Sequence, residues 1–427
     1  MEIIKYTDLK EDFFSYQEFS GNELAGITSA SQGIESVSEI IQYVKIHGDA
    51  AIRKYSKQFG DGDLQQFELT EEEIERAVNS TPEDFKACIK QAISNIQAFA
   101  EVQFASLKEV ETSVNGVKLG HRIIPLERIG AYVPGGNYPL PSSALMSIIP
   151  AKVAGVKEVI VCSPKIQPAT ITACKLAGAD RIFRIGGVQA VAAMAYGTKS
   201  VPQVNKITGP GNKYVTAAKK EVYGVCGIDF LAGPSEVMII ADKTANPDFI
   251  AADMLAQAEH DVDARAYLIT TSDPLAQKVV LKIEEFLKTL KTSEIASKAI
   301  EESFIILVDT IEQAVEISER KAPEHLEICY KNAGEDIDKY KNYGSLFIGN
   351  FSAEVFGDYC SGTNHTLPTN GVAKYSGGLS VFDFIKIQTY QEISAKAARE
   401  SLSQIASKLA ETEGLYAHKL SANLRQK

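Results

Sequence analysis

Four of the six histidines fall after residue 255, each beside other polar groups that can hold a metal ion or move a proton. In Gln257-Ala258-Glu259-His260 the amide and the imidazole are three residues apart, so on a helix both leave the same face and can converge on one ion. In Glu324-His325 a carboxylate adjoins an imidazole that titrates near neutrality, a combination suited to general-base work. From Gly357 to His365 one loop with two glycines gathers Asp358, Cys360, Ser361, Thr363, Asn364 and His365, and loops that dense in chemistry are often functional. Taken singly, a histidine is more often a surface or satisfied core residue than a ligand, and His47 and His121 are read that way. Cys360 has no flanking cation to stabilise a thiolate and reads as a small buried side chain rather than a nucleophile.

Three glycine-containing turns could receive a phosphate at a helix start: Tyr132-Val133-Pro134-Gly135-Gly136-Asn137-Tyr138-Pro139, Gly186-Gly187-Val188-Gln189 and Thr208-Gly209-Pro210-Gly211-Asn212. None matches G-x-G-x-x-G, so by themselves they read as tight turns of an α/β fold.

These groups need a scaffold, and the hydrophobic pattern supplies one. From about residue 157, short apolar runs alternate with stretches of helical period, the mark of β-α units on a parallel sheet. Residues 158–162, 181–185 and 206–208 read as strands of one α/β layer, with helices at 169–176, 188–196 and 212–223. A second layer follows Gly233-Pro234, with strands at 236–240, 266–270, 304–308, 325–329 and 345–348. Asn246-Pro247 caps a helix that carries Gln257 and His260. The fold expected is α/β, with two Rossmann-like layers and helical extensions at both ends. Residues 1–24 form the N-terminal extension, 25–130 with 236–380 one domain carrying most of the site, 131–235 an inserted domain, and 381–427 a helical tail.

A chain of 427 residues exceeds one hydrophobic core, and its 45% hydrophobic and 23% charged residues are those of an ordinary globular protein. A net charge of -11 argues against nucleic-acid binding, which needs clustered Lys and Arg, and favours a small-molecule partner. No apolar run is long enough for a membrane span, no signal peptide is legible, and the six cysteines are scattered, so a reducing cytoplasm is the expected location.

Read together, RIGAYVPGGNYPLPSSALM, ITGPGNKYVTAAKK, DFLAGPSEVMIIAD, MLAQAEHD, APEHLEI, GDYCSGTNHTLPT and EGLYAHK resemble the histidinol dehydrogenase family, in the family's order from about residue 128 to 418. The resemblance implies one zinc ion per subunit on Gln257, His260, Asp358 and His418, with Glu324 and His325 as the acid-base pair. It implies substrate contacts from Ser235, Gln257, His260, His325, Asp358, His365, Glu413 and His418, and NAD contacts from Tyr132, Gln189 and Asn212. It further implies an intertwined homodimer in which the tail, with Glu413 and His418, completes the partner's site. The reaction would take L-histidinol through L-histidinal to L-histidine, consuming two NAD, at the end of histidine biosynthesis. A dehydrogenase for another small alcohol, a zinc hydrolase and a ligand-binding regulator are the alternatives; His365, Glu413 and the SGTNH loop favour histidinol.

Overall fold

The computed structural model describes residues 1–9, 35–135 and 139–426. Strand β1 (Glu2–Lys5) opens the chain, and β2 (Val110–Val114) and β3 (Val117–Pro125) follow a helical stretch. Then β4 (Arg128–Tyr132), β5 (Glu158–Cys162), β6 (Arg181–Phe183), β7 (Lys206–Thr208) and β8 (Gly227–Ile228) alternate with helices. The pattern repeats in β9 (Glu236–Ala241), β10 (Arg265–Thr270), β11 (Phe304–Leu307), β12 (His325–Cys329) and β13 (Ser345–Ile348), and β14 (Ile385–Glu392) comes last.

The two expected layers are present. One is a parallel sheet ordered β6-β5-β4-β7-β8, the other a parallel sheet ordered β1-β11-β10-β9-β12-β13. Apart from β1, each follows the doubly wound order in which the chain moves outward in one direction, returns to the centre and moves outward in the other. All six residues of β9 are buried, as a strand covered by helices on both faces requires.

Each sheet carries core on both faces. On the five-stranded sheet, helices Val37–His47, Asp49–Gln58, Gly187–Tyr196 and Lys213–Val222 cover one face, through Ile41, Ile52, Tyr55 and Met194. Helices Glu83–Ala105, Pro141–Val153 and Pro168–Ala177 cover the other, through Ile96, Met146 and Ile148. Helices Pro247–Ala258 and Asp273–Leu287 pack on one face of the six-stranded sheet and Ile311–Lys321 on the opposite one.

The structure departs from expectation in several places. The helices between residues 37 and 105, expected with the later sheet, pack on the five-stranded one, and β4 begins at Arg128, before the expected edge at 131. Their capping boxes, Ser36 with Glu39 and Thr70 with Glu73, declare where helices start, and nothing in an amphipathic stripe names the face it will cover. Residues 2–5 of the expected helical extension are a strand, paired with β11 along Glu2↔Phe304 to Lys5↔Leu307; the remainder of that extension, from residue 10, lies outside the described residues. Within the expected helical tail, β14 pairs antiparallel with β3 before helices Lys396–Thr412 and Tyr416–Asn423 begin. No helix among the described residues is long and apolar enough to cross a membrane.

Candidate active site

The chemistry gathers at the amino ends of β9 and β12. Ala322 turns the chain into β12 in a left-handed conformation, φ 53°, that an L side chain adopts at a cost of roughly 1–2 kcal/mol. Pro323 follows, and Glu324 and His325 enter the strand buried, at 6% and 4% exposure. Nδ1 of His325 lies 3.3 Å from the carbonyl oxygen of Glu236, 3.8 Å from Oε2 of Glu324 and 3.9 Å from Oε2 of Glu354. Nε2 lies 3.3 Å from Oδ1 of Asp358. Oε2 of Glu324 accepts the Glu236 backbone N–H at 2.9 Å, and Glu236 itself is paired with Lys321.

This crowding shifts how readily each group gives up its proton. Burial drives Glu324 up to about 8, against the pull of the neighbouring imidazole. For His325, burial opposes charge, but the carboxylates of Glu324, Asp358 and Glu354 outweigh it and hold the imidazole well above its ordinary range. Asp358 is buried too, yet its bond to His325 and the nearby imidazoles of His365 and His260 keep it below the usual carboxylate range.

Asn246 caps the helix Pro247–Ala258 as expected, accepting the Asp248 N–H at 2.9 Å, and the helix delivers Gln257, 0% exposed, to the same pocket. His260 follows at the rim, exposed at its outer edge but close enough to surrounding protein that its pKa is lowered, with Asp358 acting in the opposite direction. His365 is half-buried, and burial lowers its pKa likewise. Its Nδ1 lies 2.7 Å from the Asp358 carbonyl oxygen and its Nε2 3.3 Å from the Ser143 hydroxyl, which belongs to a helix of the five-stranded sheet. Ser235 stands immediately before Glu236 and β9. Cys360 is a free thiol, partly buried.

Gln257, His260, Asp358, Glu324, His325 and His365 are thus brought together. Glu413 and His418 are not: both are exposed on the tail, whose last helix packs on the helix before it, and neither shares a hydrogen bond or ion pair with this cluster. Among the described residues no three His, Cys, Asp or Glu side chains converge to hold a metal ion. Gln257, His260 and Asp358 contain only two residues of those types.

The three expected nucleotide contacts lie at the carboxyl ends of β4, β6 and β7, around the crevice where the strand order reverses. The Tyr132 hydroxyl accepts the Gly187 N–H at 3.0 Å. Gln189 is 1% exposed, and its Oε1 has no hydrogen-bond partner among the described residues. Asn212 caps helix Lys213–Val222 through Oδ1. Gly209, with φ 108°, passes so close to Tyr132 that a Cβ would lie 2.1 Å from the Tyr132 carbonyl oxygen. Asp229 accepts the Gly209 N–H at 2.8 Å, and Lys219, paired with Asp229, donates to the Gly209 carbonyl at 3.0 Å.

Ser143, Glu236 and Glu354 are site residues the sequence reading does not single out. For Glu354 a signal existed, since it stands one helical turn before Asp358. Ser143 is distant in sequence from every site residue it meets.

The histidinol dehydrogenase family model matches residues 26–426. Histidinol dehydrogenase of Methanosarcina mazei is 43% identical, over 95% of this chain and 96% of that protein. The Methanococcus maripaludis enzyme is 46% identical, over 92% and 93%. The crystal structure of histidinol dehydrogenase from Elizabethkingia anophelis superposes with a TM-score of 0.89 at 37% identity, covering 100% of this chain and 98% of that one. The chain belongs to the histidinol dehydrogenase family and is an oxidoreductase.

Proposed function

We propose that the chain oxidises L-histidinol through L-histidinal to L-histidine with two molecules of NAD, as a zinc-loaded homodimer in the cytoplasm. The observation that carries this reading is the placement of two buried proton-transfer groups, His325 against Asp358 and Glu324 on the Glu236 backbone N–H that Gln257 also reaches. Converting a primary alcohol to a carboxylate removes four electrons, so two hydrides leave and each departure needs a base.

The residues present fit a zinc ion. The lowered pKa of His260 favours a neutral imidazole with a lone pair to give, Asp358 favours its ionised form, and Gln257 adds an amide oxygen, a nitrogen and oxygen donor set of the kind zinc accepts. His418, from a second copy of the chain, is the fourth ligand, and the exposed rim position of His260 suits a site completed from outside. Bound zinc supplies positive charge that draws the substrate's imidazole and amine and fixes the alcohol carbon in place. The nucleotide crevice fits NAD, with a buried unpaired acceptor at Gln189 and a glycine turn that admits close backbone approach.

Within this frame His325 takes the hydroxyl proton of the alcohol as the first hydride leaves. Glu324 takes a proton from the water that adds to the aldehyde while His325 returns its first proton to the aldehyde oxygen, and His325, neutral again, takes the proton of the hydrate as the second hydride leaves. Ser235, His365 and, from the second copy, Glu413 hold the substrate, while Tyr132, Gln189 and Asn212 hold the nucleotide.

The test is NADH production by purified, zinc-loaded protein with L-histidinol. Two NADH per histidine, abolished by chelation and restored by zinc, are expected. Turnover without NAD would instead make the protein a hydrolase, and metal binding with no NADH would send the search to other small alcohols.

A further inference from the structure

Glu354 takes part in none of these steps, yet it is 1% exposed. It opens the short helix Glu354–Tyr359, so it and Asp358 leave one face a single turn apart. Glu327 of β12, also 1% exposed, anchors that helix by accepting the Glu354 backbone N–H at 2.8 Å. The Glu354 side chain is thereby delivered to Gln257, with its two carboxyl oxygens 3.1 and 3.3 Å from the amide nitrogen.

The neighbours of Gln257 decide which way its amide points, since oxygen and nitrogen are told apart by their partners. On one side stands the Glu236 backbone N–H, which donates to Glu324 at 2.9 Å and lies 3.2 Å from the Gln257 oxygen as a second acceptor. On the other, Glu354 accepts from the nitrogen. Reversing the amide would set nitrogen against N–H and oxygen against carboxyl oxygens, leaving both ends unpaired in a buried position. Direction matters here because an amide ligates a cation through its oxygen; its nitrogen lone pair is delocalised and unavailable.

We propose that Glu354 is a positioning residue, which holds the nitrogen of the Gln257 amide and so keeps its oxygen turned away from Glu354 and available to the metal. The proposal rests on reading Gln257 as a zinc ligand. Outer partners that orient a metal ligand typically contribute about 10- to 100-fold to metal affinity.

The test is zinc affinity of the full chain by competition with a chromophoric chelator, together with the absorption of the cobalt-substituted protein and thermal unfolding as a check on folding. Glu354→Gln keeps volume and an acceptor oxygen and is expected to retain most of the affinity. Glu354→Asp withdraws the acceptor by one methylene, and Glu354→Leu removes it. Both are expected to weaken zinc binding about 10- to 100-fold and to shift the cobalt bands. In a Gln257→Ala background the same substitutions are expected to add nothing. Wild-type protein that binds no zinc would remove the site reading itself. Wild-type protein that binds zinc while folded Glu354→Asp binds it equally well would overturn the positioning role alone, as would losses that persist undiminished without Gln257. Should Glu354→Leu fail to fold, the Asp and Gln variants decide the matter.

Discussion

The Ser143 hydroxyl meets Nε2 of His365 at 3.3 Å, joining a helix on the five-stranded sheet to the loop that carries Asp358. Asn364 strengthens the junction by donating to the Met146 carbonyl at 2.7 Å. The nucleotide turns lie at the carboxyl ends of one sheet and the proton-transfer pair at the amino ends of the other, and this contact joins the two layers. Because His365 is read as a substrate contact, Ser143→Ala is expected to raise KM for histidinol about 2- to 10-fold, the worth of one ordinary hydrogen bond, with NAD binding unchanged. An unchanged KM would show that His365 needs no help from Ser143.

That junction also marks where the sequence stops being legible. Strands such as β9 and β12 announce themselves as short apolar runs, and Asn246-Pro247 announces its helix, so both layers and the position of Gln257 can be read directly. The pairing of β1 with β11, of β14 with β3, and of Ser143 with His365 joins residues hundreds apart, and no local pattern encodes such partners. Glu324 and His325 are visible as residue types, but their protonation depends on Glu354 and Asp358, which reach them only once β12 and the helix Glu354–Tyr359 are packed together.

His325→Asn removes the base while leaving the four proposed zinc ligands intact. Turnover with histidinol is expected to fall about 10²- to 10⁴-fold, the usual contribution of a positioned base, with zinc content unchanged. Near-normal rates would mean that another group takes the proton.

Glu324→Gln separates the two half-reactions. If Glu324 activates water, oxidation of supplied histidinal suffers more than the first hydride transfer, measured in a single turnover from histidinol. Equal losses in both would mean that Glu324 acts through His325, 3.8 Å away, rather than on water.

Asp253 lies against Glu327, and burial raises it to about 6; Glu327 is also held well above its ordinary range. A carboxyl whose folded pKa is raised stabilises the fold fully below its unfolded value, near about 4 for aspartate, and that contribution is lost as pH rises through the folded value. Asp253→Asn cannot ionise. The urea midpoint of metal-free Asp253→Asn is therefore expected to gain on wild type as pH rises through about 6. A difference that stays constant from acid to neutral pH would mean that Asp253 keeps its ordinary pKa in the fold.

His418 is exposed on the tail and makes no hydrogen bond or ion pair among the described residues, while His260 waits at an exposed rim. If the tail of one copy completes the site of another, inactive variants can rescue each other. In a mixed dimer of His325→Asn and His418→Ala, the His418→Ala body keeps a working base and receives an intact tail from its partner, while the other site carries both lesions. Random pairing then returns roughly a quarter of wild-type turnover after mixing, dissociation and reassembly. Were His418 used within its own chain, each site would still carry one lesion and the mixture would stay inactive.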